Sequence, residues 1–167
     1  MIESSLLLVF PAAMAFAGAM DLLTMTIPNR ISLALVAAFI AAALFAGLPA
    51  HAVMLHVMSG LLVLAIGIGL FAMGWAGGGD AKLLAAGALW FGLDQVVPFL
   101  VQTGICGACL TLMMVLFRAY PVASLPIPEW AVKLHRTATG MPYALAISAG
   151  ALLVFPHTDM FRSLAAQ

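Results

Sequence analysis

The chain is 167 residues long, 65% of them apolar and 7% charged, with a mean hydropathy of +1.19. A water-soluble domain carries charge on roughly a quarter of its residues, so this composition excludes a soluble globular fold and makes the lipid bilayer the solvent. The six basic and six acidic residues cancel, so net charge names no partner and nucleic acid is not expected among the partners; the positions of the charges carry the information.

Apolar runs near 20 residues mark helices that cross a bilayer. In chain order they cover residues 4–20, 31–48, 52–73, 81–93, 95–117 and 142–156. The expected fold is all-α: a polytopic integral membrane bundle of about six transmembrane helices, forming a single domain over residues 1–167. The first run has the length of a signal peptide, but Glu3 and the lack of Lys or Arg before it give the wrong sign for one, and it reads as a retained helix. The fourth run is short: thirteen residues rise only about 20 Å against a core about 30 Å thick. It borrows residues at both ends, continuing toward Val97 before Pro98, or it leaves Asp80 sunk below the headgroups.

With the N-terminus outside, Arg30, Lys82, Arg118, Lys133 and Arg136 fall on one side and only Arg162 on the other. Positive residues in short loops mark the cytoplasmic side, so both termini are expected outside a cytoplasmic (inner) membrane. Asp21, Asp80 and Glu129 lie on the cytoplasmic face, and Glu3, Asp94 and Asp159 on the outer one. Asp21 ends the first helix and Asp80 opens the fourth, which puts both acids at one depth. The connection over residues 118–141 holds Pro126 and Pro128; Pro128-Glu129 is a helix start and Trp130 an interface anchor. It reads as a helix resting on the membrane surface, with a substrate-facing flap as the alternative.

An aspartate at a helix centre in hydrocarbon costs about 2.5–3.5 kcal/mol, less near the boundary. Asp21 and Asp80 are therefore solvated at headgroup level, carry ions or protons, or do chemistry together. The three glycines Gly77, Gly78 and Gly79 each cost a helix about 1 kcal/mol relative to alanine. They offer a backbone without side-chain walls and access to positive φ, which suits an extended substrate strand lying beside a catalytic group; the other reading is a loop, or small residues for helix packing. Cys106 and Cys109 share a helical face and read as small packing residues beside Gly104, Gly107 and Ala108. His51 and His56 lack the spacing of a metal pair; His51 is expected at the outer interface and His56 hydrogen-bonded inside the bundle. Asn29 after Pro28 reads as a cap for the second helix, with Arg30 and Lys82 as anchors at the cytoplasmic face.

Gly77–Leu84, GGGDAKLL, resembles the GxGD-x-K-L signature of type IV prepilin peptidases, which are membrane aspartic proteases. Asp21 followed by Ile27-Pro28-Asn29 resembles that family's first aspartate and its Ile-Pro-Asn turn, and Met141-Pro142-Tyr143-Ala144 resembles the Pro-Tyr that opens its last helix. The resemblance implies Asp21 and Asp80 as the catalytic pair, with Gly77, Gly78, Gly79, Lys82, Pro28, Asn29, Pro142 and Tyr143 binding substrate or shaping the site, and no metal or cofactor. It implies pilin and pseudopilin precursors as partners, each a hydrophobic helix whose leader is cut after a glycine on the cytoplasmic side. Where the family often carries basic residues, this chain has Thr24, Met25 and Thr26, a departure that bears on substrate or lipid contacts and not on the pair. The paired CxxC motifs of the larger, N-methylating members are absent, so the chain resembles the short forms of Flp (tight-adherence) pilus systems.

Two carboxyls a few ångströms apart hold one proton between them and titrate as a unit. Asp21 at a helix C-terminus and Asp80 at a helix N-terminus would bias that proton toward Asp21 by about 0.3–1 kcal/mol for each end. The rival readings are a small proton- or ion-coupled carrier and a non-catalytic subunit of a pilus or secretion assembly. A carrier would place its acids near the midplane and show internal repeats, and neither is seen.

Overall fold

The computed structural model describes residues 2–119, 128–135 and 140–165, and the side chains of residues 8–119, 128–132, 134–135 and 140–163. Every regular element among them is helical: α1 (Ile2–Thr24), α2 (Asn29–Phe45), α3 (Ala50–Ala72), α4 (Gly78–Ala119), α5 (Glu129–His135), α6 (Tyr143–Val154), a 3-10 turn at Phe155–His157, and α7 (Asp159–Ala165). Arg136 and Pro126, singled out in the sequence, lie outside the described residues, as does half of the connection they belong to.

Two of these helices, α3 and α4, are long and apolar enough to cross a membrane, and shorter apolar helices cover Leu8–Thr24, Asn29–Phe45 and Tyr143–His157. Their outward faces are hydrocarbon: Leu61 and Leu112 are 60% and 61% exposed, and Met113 66%. Water does not tolerate so continuous an apolar surface on a monomer. The protein is a membrane protein, as its composition requires.

α4 is two helices. At Gly92 the backbone leaves the helical region (φ 64°, ψ −179°), a conformation open to glycine and strained for a side chain. Phe99 then lies against Gly87 and its ring stacks on Phe91 with centroids 4.4 Å apart. In a straight helix residues 87 and 99 would be about 18 Å apart, so the chain turns back on itself. The break was expected between residues 93 and 95, with Pro98 as a possible stop. Glycine makes it instead, and Pro98 is carried inside the second half of α4.

Side-chain contacts set the directions. α1 runs against the first half of α4, with the Phe10 ring 4.9 Å from that of Trp90 and Met14 on Gly87. α3 runs against the same half, Gly60 meeting Leu89 and Gly67 meeting Ala81. α2 runs parallel to it, Asn29 bonding Lys82 and the Leu35 carbonyl accepting from Trp90 Nε1 at 3.0 Å. α6 runs against α1, with Ser148 Oγ donating to the Met14 carbonyl at 2.6 Å, and against the second half of α4, with Gly150 on Thr103 and Gly107 under the Tyr143 ring. The apolar segments alternate in direction along the chain. Close approach of small residues sets most of these interfaces, the mode by which helices associate where lipid competes for apolar contact.

The core is aromatic: Phe10, Phe39, Trp90, Phe99 and Phe155 are fully buried. His56 sits beside it as expected, Nδ1 on the Leu89 carbonyl at 2.7 Å and its ring on Phe39. A carbonyl only accepts, so Nδ1 carries the proton. His51 is exposed. The packing expectation for this stretch fails in part: Cys109 and Gly104 face outward, while Cys106 is partly buried and Gly107 is covered. α5 begins at Glu129 as anticipated, and Arg118 ties it to the end of α4 by donating to the Leu134 and Gly140 carbonyls, each at 3.0 Å. α7 was not anticipated. Thr158 caps it, Oγ1 accepting the Phe161 N–H at 3.1 Å.

Candidate active site

Asp21 occupies the last full turn of α1. That helix ends where Met25 takes a left-handed conformation (φ 57°), its N–H closing on the Asp21 carbonyl at 2.8 Å. Thr24 Oγ1 bonds back to the Met20 carbonyl at 2.7 Å and meets Thr26 Oγ1 at 2.8 Å. The three residues that depart from the family's basic pattern thus form the stop that lets the chain turn through Ile27-Pro28. Pro28 is extended at the N-cap of α2 with no side-chain cap. Asn29 was expected to cap this helix; instead its Oδ1 accepts from Lys82 Nζ at 3.0 Å. Lys82, expected as a lone anchor, ties α4 to α2.

The Asp21 side chain is 6% exposed. Its Oδ2 accepts the Ala144 N–H at 2.9 Å, one of the amides left unpaired at the start of α6. Pro142, fully buried at the N-cap, has no N–H to offer, so the carboxylate takes its bond from the next free donor. A carboxylate at a helix N-terminus is favoured by the macrodipole. This weakens the proton bias argued from the ends of α1 and α4: Asp21 faces the positive end of α6 while it sits at the negative end of α1. The two helix ends at Asp21 offset each other, and the N-terminus of α4 at Asp80 alone still favours the proton on Asp21.

Asp80 is in the first turn of α4, three residues after Gly77, and accepts the Gly77 N–H. This is the side-chain half of a capping box. It leaves no room for a side chain at position 77, where a Cβ would lie 2.7 Å from Asp80 Oδ2. Gly78 is covered by the Phe71 ring and Gly79 by Ile27, 3.2 Å from where its Cβ would stand. None of the three has positive φ. The glycines were expected to bare a backbone strand for substrate; two are helical residues covered by the protein's own side chains, and only Gly77 is exposed.

α1 and α4 bring the two acids to one level. Met14 meets Gly87, and a seven-residue step along antiparallel helices, two turns in each, leads from that contact to Asp21 on one and Asp80 on the other. The charge on Asp21 acts on Asp80. Tyr143 is 38% exposed, its ring on Gly107. The structure thus gathers Asp21, Asp80, Gly77, Gly79 and the start of α6 around one end of the bundle, with Lys82 and Asn29 on the neighbouring face of α4. Sequence reasoning missed the Ala144 amide and Ile27; the Pro-Tyr-Ala run and the Ile-Pro-Asn turn were their only signals.

The profile of the type IV leader peptidase family matches residues 8–112. The chain belongs to the type IV leader peptidase family. The matched span includes Asp21, the Ile27-Pro28-Asn29 turn and the whole GGGDAKLL run, and stops before Pro142-Tyr143. No curated protein and no solved structure matches the chain. Membership makes the protein a leader peptidase-like protease, and what requires explanation is how this arrangement would cut.

Proposed function

We propose that this leader peptidase is an aspartic endopeptidase working at the cytoplasmic boundary of the inner membrane, removing the leader of pilin-type precursors with Asp21 and Asp80. One observation carries the reading. In a chain 7% charged, two acids from separate helices reach the same level, each held by a backbone amide from a helix start.

The pair works with one proton between its two carboxyls. The ionised member takes a proton from a water as its oxygen bonds the scissile carbonyl carbon, and the protonated member hydrogen-bonds the carbonyl oxygen as it gains charge. The tetrahedral intermediate then collapses; the C–N bond breaks and the leaving amine takes a proton from the carboxyl that had accepted one. The amides of Ala144 and Gly77 keep the acids in place between turnovers. No metal or cofactor enters the scheme.

Six membrane crossings account for the alternating segments, α4 supplying two, with both termini outside and one peptidase domain. Trp75 and Trp130, 78% and 40% exposed, would lie at the cytoplasmic interface. Absence of the paired CxxC motifs fits a short form serving Flp-type pili, without methyl transfer. Asp21→Asn and Asp80→Asn, purified in vesicles and given a precursor, test the reading by N-terminal sequencing of the product. Loss of leader removal by both, with insertion intact, is the expected result. Leader removal that survives either change would take that acid out of the chemistry; no leader removal by the wild type would point to an assembly subunit, or to a carrier if ion flux is present and the two changes abolish it.

A further inference from the structure

α2 and α3 are consecutive and joined by a short link, yet they share little beyond the Phe39–His56 ring contact; α3 rests on α4, and α2 on α4 and α1. Between them, floored by the first half of α4, runs a groove of about 910 Å³. Its walls are apolar, with Val36 and Ile40 on α2 and Val57 and Leu61 on α3, and its floor is narrow-profiled at Ala85 and Ala86. Its mouth is polar. Lys82 and Asn29 stand there with Ser32, whose hydroxyl is buried and has no partner among the described residues.

Three features limit what fills this groove. Along α2 the lining runs from Asn29 to Leu44 and beyond to Leu48, a rise of at least roughly 22 Å. A lipid chain reaches only the bilayer midplane, about 15 Å of a core about 30 Å thick, so the groove is too long for one leaflet's lipid and suits a segment that spans. Alanines along the floor permit close approach of a helix. The mouth lies at the depth of Asp80, two residues before Lys82 on α4. There Lys82 gives one proton to Asn29 and has two left, and Ser32 can donate and accept. An extended peptide leaving the groove presents unpaired backbone carbonyls and amides that need such partners.

We infer that this groove docks the membrane-spanning apolar helix of the precursor, so that the leader emerges between Lys82 and Ser32 and reaches the acids at the same depth. The inference rests on the proposed peptidase reading and locates its substrate.

Disulfide trapping tests it in the full-length protein. Cys106→Ala and Cys109→Ala remove the native thiols, Asp80→Asn leaves the precursor uncut, and either Val57→Cys in the groove or Leu62→Cys outside it on the same helix is added. The variants are reconstituted in phospholipid vesicles with precursors bearing single cysteines along the apolar helix. Val57→Cys is expected to trap the precursor at least about tenfold faster than Leu62→Cys, as a raised effective concentration requires, at positions recurring with helical spacing. Equal trapping at both positions, a disulfide dimer of the protein, or reaction of Val57→Cys only with a lipid-borne thiol reagent would overturn it. Cleavage by the wild-type chain, followed in parallel, keeps the two readings apart. Specific trapping of a precursor that the wild type never cuts removes the peptidase reading and keeps the groove; cutting without specific trapping does the reverse.

Discussion

The two faces of the first half of α4 are built differently. Toward α1 and α6 the acids of the site and a nearby serine have backbone partners: Asp21 the Ala144 amide, Asp80 the Gly77 amide, Ser148 the Met14 carbonyl. Small residues lock the register there. Toward α2 and α3 the same helix floors an open apolar groove, and the buried Ser32 hydroxyl on its wall has no partner among the described residues. One face holds functional groups still, and the other leaves room for something to arrive. A membrane enzyme whose substrate already lies in the bilayer needs both.

The largest effect that can break this comparison is chemical. Asp21→Asn and Asp80→Asn each keep shape and hydrogen-bonding capacity but remove the proton transfer, and each is expected to lower leader removal by about 10²–10⁴-fold. Thermal unfolding of the detergent-solubilised protein should change little. A large fall in stability with residual full activity would show that the paired face is only structural.

Packing comes next. A methyl on Gly150 would lie 2.7 Å from the Thr103 backbone nitrogen and 2.8 Å from its Cα, atoms that cannot move without shifting a helix. Gly150→Ala is expected to cost about 1–3 kcal/mol of stability as overpacking, and to lower activity because α6 carries the amide that holds Asp21. Gly104, with nothing near it among the described residues, is the control: Gly104→Ala should be neutral or gain up to about 1 kcal/mol in helix propensity. The same measured melting shift in both would remove the argument that Gly150 sets the α4–α6 contact.

These two glycines also mark what the sequence could and could not tell. The six apolar runs, the matching depth of Asp21 and Asp80, the helix at Glu129 and the inward His56 were legible, because each follows from a local pattern or from counting charges by side. Glycine was not, because composition cannot separate a residue that clears space for a neighbour from one that bares its backbone. Gly77, Gly78 and Gly79 proved to be of the first kind, with Asp80, Phe71 and Ile27 in the cleared space. Asn29 looked like a cap because capping is its commonest local use, and only the register of α2 on α4 turns it to Lys82. The Ala144 amide was beyond local reasoning: it reaches Asp21 from 123 residues away.

Filling the groove sharpens the contrast from its other side. Leu61 is 60% exposed on the groove wall, so Leu61→Trp adds bulk without disturbing the core, and unfolding should be unchanged. The KM for a full precursor should rise about tenfold while kcat holds, the signature of binding lost equally from ground and transition states. A short peptide spanning only the cut site should be processed as before. An equal loss with both substrates would mean that the substitution acts on the acids and not on docking.

The smallest effect is the most discriminating, because one chemical edit should have opposite signs on the two faces. Ser148→Ala breaks a bond of 2.6 Å to the Met14 carbonyl and should destabilise by about 0.6 kcal/mol, the average for hydrogen bonds between helices in membranes. Ser32→Ala deletes a hydroxyl that has no bond to lose among the described residues. Leaving a buried hydroxyl unsatisfied carries a desolvation penalty of about 1–3 kcal/mol, and removing it should leave the free protein as stable or more stable. With a precursor bound the sign should reverse, since a hydroxyl that finds its partner in the emerging peptide is lost from the complex alone. Melting curves of both variants with and without precursor read this directly. If Ser32→Ala destabilises the free protein, the hydroxyl already has a partner and the groove is part of the packed fold, not a place kept open for a substrate.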